Sequence, residues 1–302
     1  MIRIITDSLA SLSPEEAKAF GVEVVTLFIN HNGTEYADAT MDHEKFYRNI
    51  HAMKDNLPTS SQPSQFELEK VFEDAAQAGD EVLGIFVSSG LSGTYDGALR
   101  AARAVKARHI NFTYVIVDST SCGYDEAWPV LAAVNARAAG EDLATCAAAT
   151  LESIECCRFL FVPEILAFLQ KGGRIGGAAA LLGNMIHLCP VLTVKDGMTE
   201  TMAKVRTYKK ALQKIIDIFK EDVEKHGLKN IMVHYIGDKT PALTWAREVI
   251  EPLVGRVVPV VPVSPVIGMH VGPAIGIAYE CTTALADKLS QSATVHASAM
   301  LA

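Results

Sequence analysis

Hydroxyls, glycines and lone cations gather in a few short stretches of this sequence, and such stretches can hold an anion. Ser88-Ser89-Gly90-Leu91-Ser92-Gly93-Thr94-Tyr95 follows the apolar run Val82–Val87 and opens a helical pattern. Free backbone N–H groups at a helix start, with hydroxyls around them, attract negative charge. The plainer reading of Ser92 is a helix cap. The stretch lacks the Gly-Lys-Ser/Thr ending of a nucleotide phosphate loop, and it is not Gly-x-Ser-x-Gly. Pro58-Thr59-Ser60-Ser61-Gln62-Pro63-Ser64 also precedes a helix, and it carries more hydroxyls than one cap needs. Lys171-Gly172-Gly173-Arg174-Ile175-Gly176-Gly177 places one cation among glycines, where it can approach a carboxylate or phosphate closely. A surface salt bridge is its alternative. His270 lies in Gly268-Met269-His270-Val271-Gly272-Pro273, which reads as a loop over 264–273. Asp7-Ser8 and Asp118-Ser119 each follow a strand and are expected on the same rim. Asp7, His270 and Ser92 can be drawn as a triad.

The elements that must position these residues alternate in type. Ile2–Thr6, Val22–Ile29, Glu81–Val87 and Tyr114–Val117 read as strands. Between and after them, 63–78, 91–106, 125–139 and 142–154 read as helices, with Pro63 in a first turn and a capping box from Ser64 to Glu67. Such alternation predicts a mostly parallel sheet covered on both faces. After about residue 157 the pattern changes. A helix over 163–170 precedes the glycine-rich turn, and Asp196-Gly197 marks a hairpin between 190–195 and 199–206. A long amphipathic helix spans 208–226, ending at Gly227, and strands follow at 230–236 and 256–263, with a helix over 241–253 between them. The expected division is an N-terminal α/β domain over 1–157, a second α/β domain over 158–288 and a partly helical tail over 289–302. A last strand near 274–280 is allowed to return to the first domain.

Composition narrows the class. The 302 residues are 49% hydrophobic and 21% charged, a globular balance with room for two cores. Lys and Arg total 27 against 35 Asp and Glu, a net charge of -8, which argues against nucleic acid. The basic cluster Lys204, Arg206, Lys209 and Lys210 reads as a solvated face. No apolar leader with a cleavage site follows Met1, so a cytoplasmic protein is expected. The uncharged run 175–194 is long enough to test as a membrane span, but its glycines, Asn184, His187 and Pro190 favour a buried helix followed by a strand. No integral span is expected, and transient membrane contact stays open. Six cysteines form no Cys-x-x-Cys pair and read as free thiols. His187-Leu188-Cys189 lacks further ligands, so no metal and no cofactor are expected.

Taken in order, Thr6-Asp7-Ser8, 59–64, 88–95, Asp118-Ser119, 171–175 and 268–273 resemble the motifs of the bacterial DegV family, which includes the fatty-acid-binding subunits of fatty acid kinase. The resemblance covers about residues 1 to 280. It implies a two-domain α/β fold: a mostly parallel N-terminal sheet, a second α/β domain with a mixed sheet, and a lipid tunnel between them. It implies that Ser60 and Ser92 hold a fatty-acid carboxylate, with Ser61, Gly93 and Thr94 in support beside Asp7, Ser8, Asp118 and Ser119. It also implies that Arg174 and His270 lie near the head group and serve the kinase step. Position 60 departs from the family, which usually has Thr there. The hydroxyl is kept, but the methyl that restricts its rotamer is lost.

A carboxylate only accepts hydrogen bonds, so hydroxyls, backbone N–H groups and a cation suit it. The acyl chain adds about 0.8 kcal/mol per buried methylene. Ile165, Leu166, Phe168, Leu169, Leu181 and Leu182 are candidate tunnel residues, and each is equally a core candidate. The leading expectation is a lipid carrier, not itself a catalyst, that presents a long-chain fatty acid to an ATP-dependent fatty acid kinase. Two alternatives stand beside it: a serine hydrolase or acyltransferase using Ser92 and His270, and a regulatory lipid-binding protein without a kinase partner.

Overall fold

The computed structural model describes residues 1–181, 188–288 and 293–298. The chain begins with β1 (Ile2–Asp7), α1 (Pro14–Phe20), β2 (Val22–Val25) and the hairpin β3 (Phe28–His31) and β4 (Thr34–Ala37). Next come α2 (His43–Tyr47), β5 (Thr59–Ser61), α3 (Gln65–Ala78), β6 (Glu81–Phe86), α4 (Thr94–Arg108) and β7 (Tyr114–Asp118). Then α5 (Tyr124–Ala138) and α6 (Leu143–Cys156) lead to β8 (Cys157–Pro163). After these lie α7 (Ala167–Lys171), β9 (Cys189–Lys195), β10 (Met198–Val205), α8 (Tyr208–His226), β11 (Asn230–Ile236), α9 (Lys239–Trp245) and α10 (Glu251–Val254). The remainder is β12 (Val260–Pro262), α11 (Pro265–Val271), β13 (Ala274–Glu280) and β14 (Val295–Ala297).

Three sheets result. The first has the order β14-β7-β6-β1-β2, parallel except for β14. Side chains alternate across it. Ile5, Val82 and Phe86 pack under α3 and α4, while Ile4, Leu83 and Ile85 pack with α5 and α6. The second sheet is mixed, in the order β10-β9-β8-β13-β11-β12. Its outer face, with Leu160, Val162, Ile275 and Ile277, meets Ile215 and Phe219 of α8. Its inner face, with Phe159, Phe161, Ala274 and Ala278, joins a central core shared with Leu9, Val87 and Trp128 from the first sheet's side. A short antiparallel sheet, β4-β3-β5, flanks that core. The two-domain α/β expectation, with one mostly parallel and one mixed sheet, matches this architecture.

Local chemistry explains the boundaries. Ser64 caps α3 and exchanges bonds with Glu67, the predicted capping box. Asp196 and Gly197 both have positive φ, as a two-residue hairpin between β9 and β10 requires. The helix over 208–226 and the strand over 230–236 have the predicted bounds.

Several expectations are corrected. The strand over 22–29 is two strands in different sheets. The chain turns at Thr26, whose Oγ1 accepts from Ala39 N, while Leu27 N donates to Ser8 Oγ. Pro63 precedes the Ser64 cap and lies outside α3. The helix over 163–170 is only α7, because Pro163 completes β8 and Glu164 N is held by Pro273 O. The stretch 264–273 is mostly helix. Ser264 caps α11, Pro265 fills its first position and Gly272 ends it. The strand near 274–280 stays in the second sheet, between β8 and β11. It is β14, from the segment read as a helical tail, that returns to the first sheet, beside β7. Leu182, His187 and residues 289–292 and 299–302 lie outside the described residues. Among the described residues no helix is long and apolar enough to cross a membrane.

Candidate functional site

Connections in the first sheet reverse direction between β1 and β6, since β2 lies to one side of β1 and β6 to the other. Ligands in parallel sheets favour the crevice at such a reversal, beyond the carboxyl ends of the strands. Asp7 ends β1 there, and its carboxylate accepts from Leu9 N and from Val87 N, each at 2.8 Å. It thereby joins the loops that follow β1 and β6. Burial pushes the Asp7 carboxyl up to about 7. After β7, Asp118 accepts from Ser89 N and Thr120 N, fixing the Ser88–Gly93 loop from the other side. Burial raises the Asp118 carboxyl as well.

The Ser88–Gly93 loop is also gripped from the second sheet. Ser88 Oγ donates to Gly197 O at 2.7 Å, at the tip of the β9–β10 hairpin. A Cβ on Gly90 would lie 2.5 Å from Gly197 O, and one on Gly197 would lie 2.6 Å from Ser88 Oγ. Gly93 likewise leaves room for Gln62, whose Oε1 would sit 2.3 Å from an added Cβ. These contacts hold Ser92 at the rim of a cavity. Its Oγ lies 2.9 Å from Thr94 Oγ1 and 3.3 Å from Thr94 N.

That cavity has an empty volume of about 590 Å³, part of it open to solvent, and apolar side chains form most of its wall. Ser60, Ser92, Arg174 and His270 all line it, although they come from β5, the β6–α4 loop, the turn after α7 and α11. Ser60 therefore sits on a strand, paired with Ile29 of β3, and not in a loop. Its Oγ lies 3.0 Å from His270 Nε2. Arg174 Nε donates to Leu91 O at 3.1 Å and its Nη1 to Gly172 O at 2.8 Å, so the guanidinium spans two of the loops. Among the described residues, its Nη2 has no acceptor. Burial, and secondarily Arg174, hold His270 down at about 4, so the imidazole is neutral near pH 7. Its buried Nδ1 has no partner among the described residues. A Cβ on Gly172 would approach that nitrogen to 2.5 Å, so only glycine allows this close approach.

The arrangement does not build the Asp7, His270 and Ser92 triad. Asp7 is spent on backbone N–H groups, Ser92 on Thr94, and His270 on Ser60. With no carboxylate on Nδ1, the imidazole is not set up to activate a serine. The supporting residues divide by role. Thr94 contacts Ser92, and Gly93 is the N-cap of α4. Ser8 receives Leu27 N, and Ser119 Oγ donates to Ser121 O. Ser61 is exposed on β5. Of the predicted tunnel residues, Leu169 lines the cavity. Leu166, Phe168 and Leu181 are buried in the central core without lining it, Ile165 packs against that core, and Leu182 lies outside the described residues. The wall comes instead from Leu9, Val87, Phe159, Phe161, Ile267 and Val271, among others.

Sequence reading missed the anchor of the His270 helix. Asp38 Oδ2 accepts from Ser264 Oγ at 2.7 Å and its Oδ1 from Val266 N at 3.0 Å. Burial raises Asp38 to about 6. Tyr47 Oη donates to Val263 O and Ser264 O, and its ring fills the space that Gly268 leaves open. No local pattern around Asp38 or Tyr47 announces these partners more than 200 residues away.

A second, smaller cavity of about 240 Å³, part of it open to solvent, shares Phe159, Phe161, Ile267 and Val271 with the first and has His234 among its lining residues. These four apolar side chains form a wall common to both cavities, and the hydroxyls and the cation belong to the first.

Comparisons with known proteins bear on the family and the fold. A family model described as an uncharacterised protein of the DegV family matches residues 1–282. A DegV domain-containing protein of Clostridium acetobutylicum is 36% identical over 280 residues, covering 92% of this chain and 97% of its own. One from Clostridium perfringens is 37% identical over 284 residues, covering 92% and 98%. Among solved structures, a fatty-acid-binding DegV family protein from Thermus thermophilus superposes with a TM-score of 0.81 at 29% identity, covering 93% of this chain and 99% of its own. A fatty-acid-binding DegV from Bacillus subtilis gives a TM-score of 0.81 at 26% identity over the same shares.

Proposed function

The chain belongs to the DegV family, and from that premise we propose that it binds a long-chain fatty acid by its carboxylate and presents it to a separate kinase. The observation that carries this reading is the polarity of one cavity: Ser60, Ser92, Arg174 and His270 meet on a wall that is otherwise mostly apolar. The hydroxyls of Ser60 and Ser92 donate to the carboxylate. Each charged hydrogen bond is worth roughly 1.5–3 kcal/mol. The acyl chain lies along Phe159, Phe161 and Val271, and its methylenes supply most of the affinity.

In the phosphoryl step a carboxylate oxygen attacks the γ-phosphorus of ATP held by the kinase. The products are an acyl phosphate and ADP. Arg174 neutralises charge that builds on the transferring group, and the neutral His270 donates from Nε2 to Ser60 Oγ, which turns the Ser60 hydroxyl hydrogen toward the carboxylate. The contact of His270 with Ser60, and the lack of an acidic partner among the described residues to make it a strong base, support this carrier role over a serine hydrolase.

Mass spectrometry of lipid extracted from gently purified protein tests the reading. A stoichiometric long-chain fatty acid is expected, or uptake of one by stripped protein. Finding neither would overturn it.

A further inference from the structure

The segment 293–298 carries β14, and it lies beyond the part of the chain that matches the family, which stops at residue 282. The Clostridium acetobutylicum and Thermus thermophilus relatives already use 97% and 99% of their own chains in their matches, which leaves them almost no length for such a strand. Here the segment joins the first sheet. β14 pairs antiparallel with β7, with Val295 opposite Val117 and Ala297 opposite Val115, and covers the edge that β7 would otherwise present. Ser298 N donates to Tyr114 O at 3.0 Å, and Tyr114 N donates to Ser298 Oγ at 3.0 Å. Val295 and Ala297 pack on the α5–α6 side of the sheet, while His296 faces Tyr95 of α4, at 6.4 Å between ring centroids.

One atom of the segment reaches the head-group loop by two routes. Thr294 O accepts from Asp118 N at 3.0 Å and from Tyr95 Oη at 3.4 Å. The Asp118 carboxylate accepts in turn from Ser89 N at 3.3 Å, which fixes the loop that carries Ser92. Tyr95 stands in the first turn of α4, next to Thr94, whose Oγ1 lies 2.9 Å from Ser92 Oγ. The strand thus bears on the loop from both sides of Ser92. Its own hold is slight. β7 is buried throughout, but residues 293–298 are all half-buried or exposed, and only three of them form ladder pairs. Short, half-exposed edge strands belong to the least stable parts of a fold. The pairs of Asp287 with Arg158 and Lys288 with Asp125 anchor the chain just before it, independently of the strand.

We propose that segment 293–298 is a detachable strand clamp that positions the carboxylate-binding loop, so that docking of the strand on β7 and binding of a fatty-acid carboxylate strengthen each other. The proposal rests on the fatty-acid reading of the cavity and adds a positioning element to it. No residue of the strand lines the cavity. The strand acts through Asp118 and Tyr95, which set where the Ser92 hydroxyl stands. Whatever factor the docked strand adds to carboxylate affinity, the bound carboxylate adds to strand docking.

Stearic acid and its methyl ester, titrated into the full chain and into a chain ended after Lys288, both stripped of lipid, test it. Ending the chain there should weaken stearic acid about tenfold, the low end of the cost of one hydrogen bond to a charged group, and leave the uncharged ester unchanged. A synthetic peptide of residues 289–302, added to the shortened chain at about 1 mM, near the effective concentration of a tethered segment, should restore the acid affinity. Absence of that rescue overturns the detachable strand. Equal affinity of the two chains for the acid overturns the clamp, and so does a loss as large for the ester as for the acid, which would make the strand a mere edge cover. Should the shortened chain fail to fold, amide hydrogen exchange of the unaltered protein decides. Stearic acid should slow exchange of the Asp118 and Ser298 amides about tenfold, by the reciprocal coupling, and the ester should not. Unmoved exchange, or equal slowing by both, overturns the clamp and leaves fatty-acid binding intact. If the full chain does not bind stearic acid, the fatty-acid reading itself falls, and the clamp with it.

Discussion

His270 and His234 make an informative pair. Both are buried, both are neutral, and both have a ring nitrogen without a partner among the described residues. Their surroundings differ. His270 touches the Ser60 hydroxyl and feels the Arg174 guanidinium, so its side of the cavity suits a full negative charge. His234 is set among the Tyr124 and Phe159 rings, and burial is what lowers it. The same side chain sits in two settings, because a charge needs a counter-charge and several donors and only the surroundings of His270 supply them.

The largest expected effect breaks the charged end alone. Arg174→Ala should lower the kinase-coupled rate of acyl phosphate formation by about 10²–10³-fold, the usual cost of losing one group that stabilises developing charge. Fatty-acid affinity should change only a few-fold, because Ser60 and Ser92 remain. An unchanged phosphorylation rate would remove Arg174 from that role. The next effect is on binding. Ser92→Ala, and separately Ser60→Ala, should each weaken fatty-acid affinity by about 10–100-fold, as for the loss of one hydrogen bond to a charged group. Displacement of a fluorescent fatty acid measures both, and undiminished affinity in both variants would place the carboxylate elsewhere.

The smallest effect concerns stability and sharpens the likeness of the two histidines. Each has a folded pKa of about 4 against an ordinary value of 6.5. Between these values the unfolded chain binds more protons, so the contribution of each ring is fully present above 6.5 and is lost as pH falls toward 4. The slope is at most about 1.4 kcal/mol per pH unit for each ring. Asp7 at about 7 and Asp38 at about 6 act in the opposite sense, since their raised values make the folded chain hold protons that it loses as pH rises. Urea unfolding from pH 4 to 7 should therefore show a shallower loss on acidification in His234→Phe than in the unaltered protein. Parallel curves would mean that His234 is not held neutral by the fold.

Much of the charged end was legible in the sequence, because its residues sit in short stretches whose composition is odd for mere turns. Ser60, Ser92, Arg174 and His270 do line one cavity. The local frame of their loops was less legible. The stretch from Ser264 to Pro273 has the prolines and glycines of a loop, yet Pro265 and Gly272 sit where a helix tolerates them, at its first position and just past its end. Ser60 lies in a three-residue strand whose partner, β3, is supplied by a separate hairpin. The surroundings of His234 left no trace. Asn230 to Ile236 reads as an ordinary strand, and His234 gains meaning only because its register with β13 turns it toward the central core. Asp38 and Tyr47 were invisible for a related reason, since their partners are distant in the chain.

The fit of Gly197 against Ser88 and Gly90 bears on how such proteins can be altered. Each side of that contact has clearance for a hydrogen atom and no more. The head-group loop and the β9–β10 hairpin therefore behave as a lock and its matching key, cut together. Grafting the 88–95 loop of a relative into this chain would succeed only if the donor's hairpin tip came with it, and drift at either place is confined to changes that the other already tolerates.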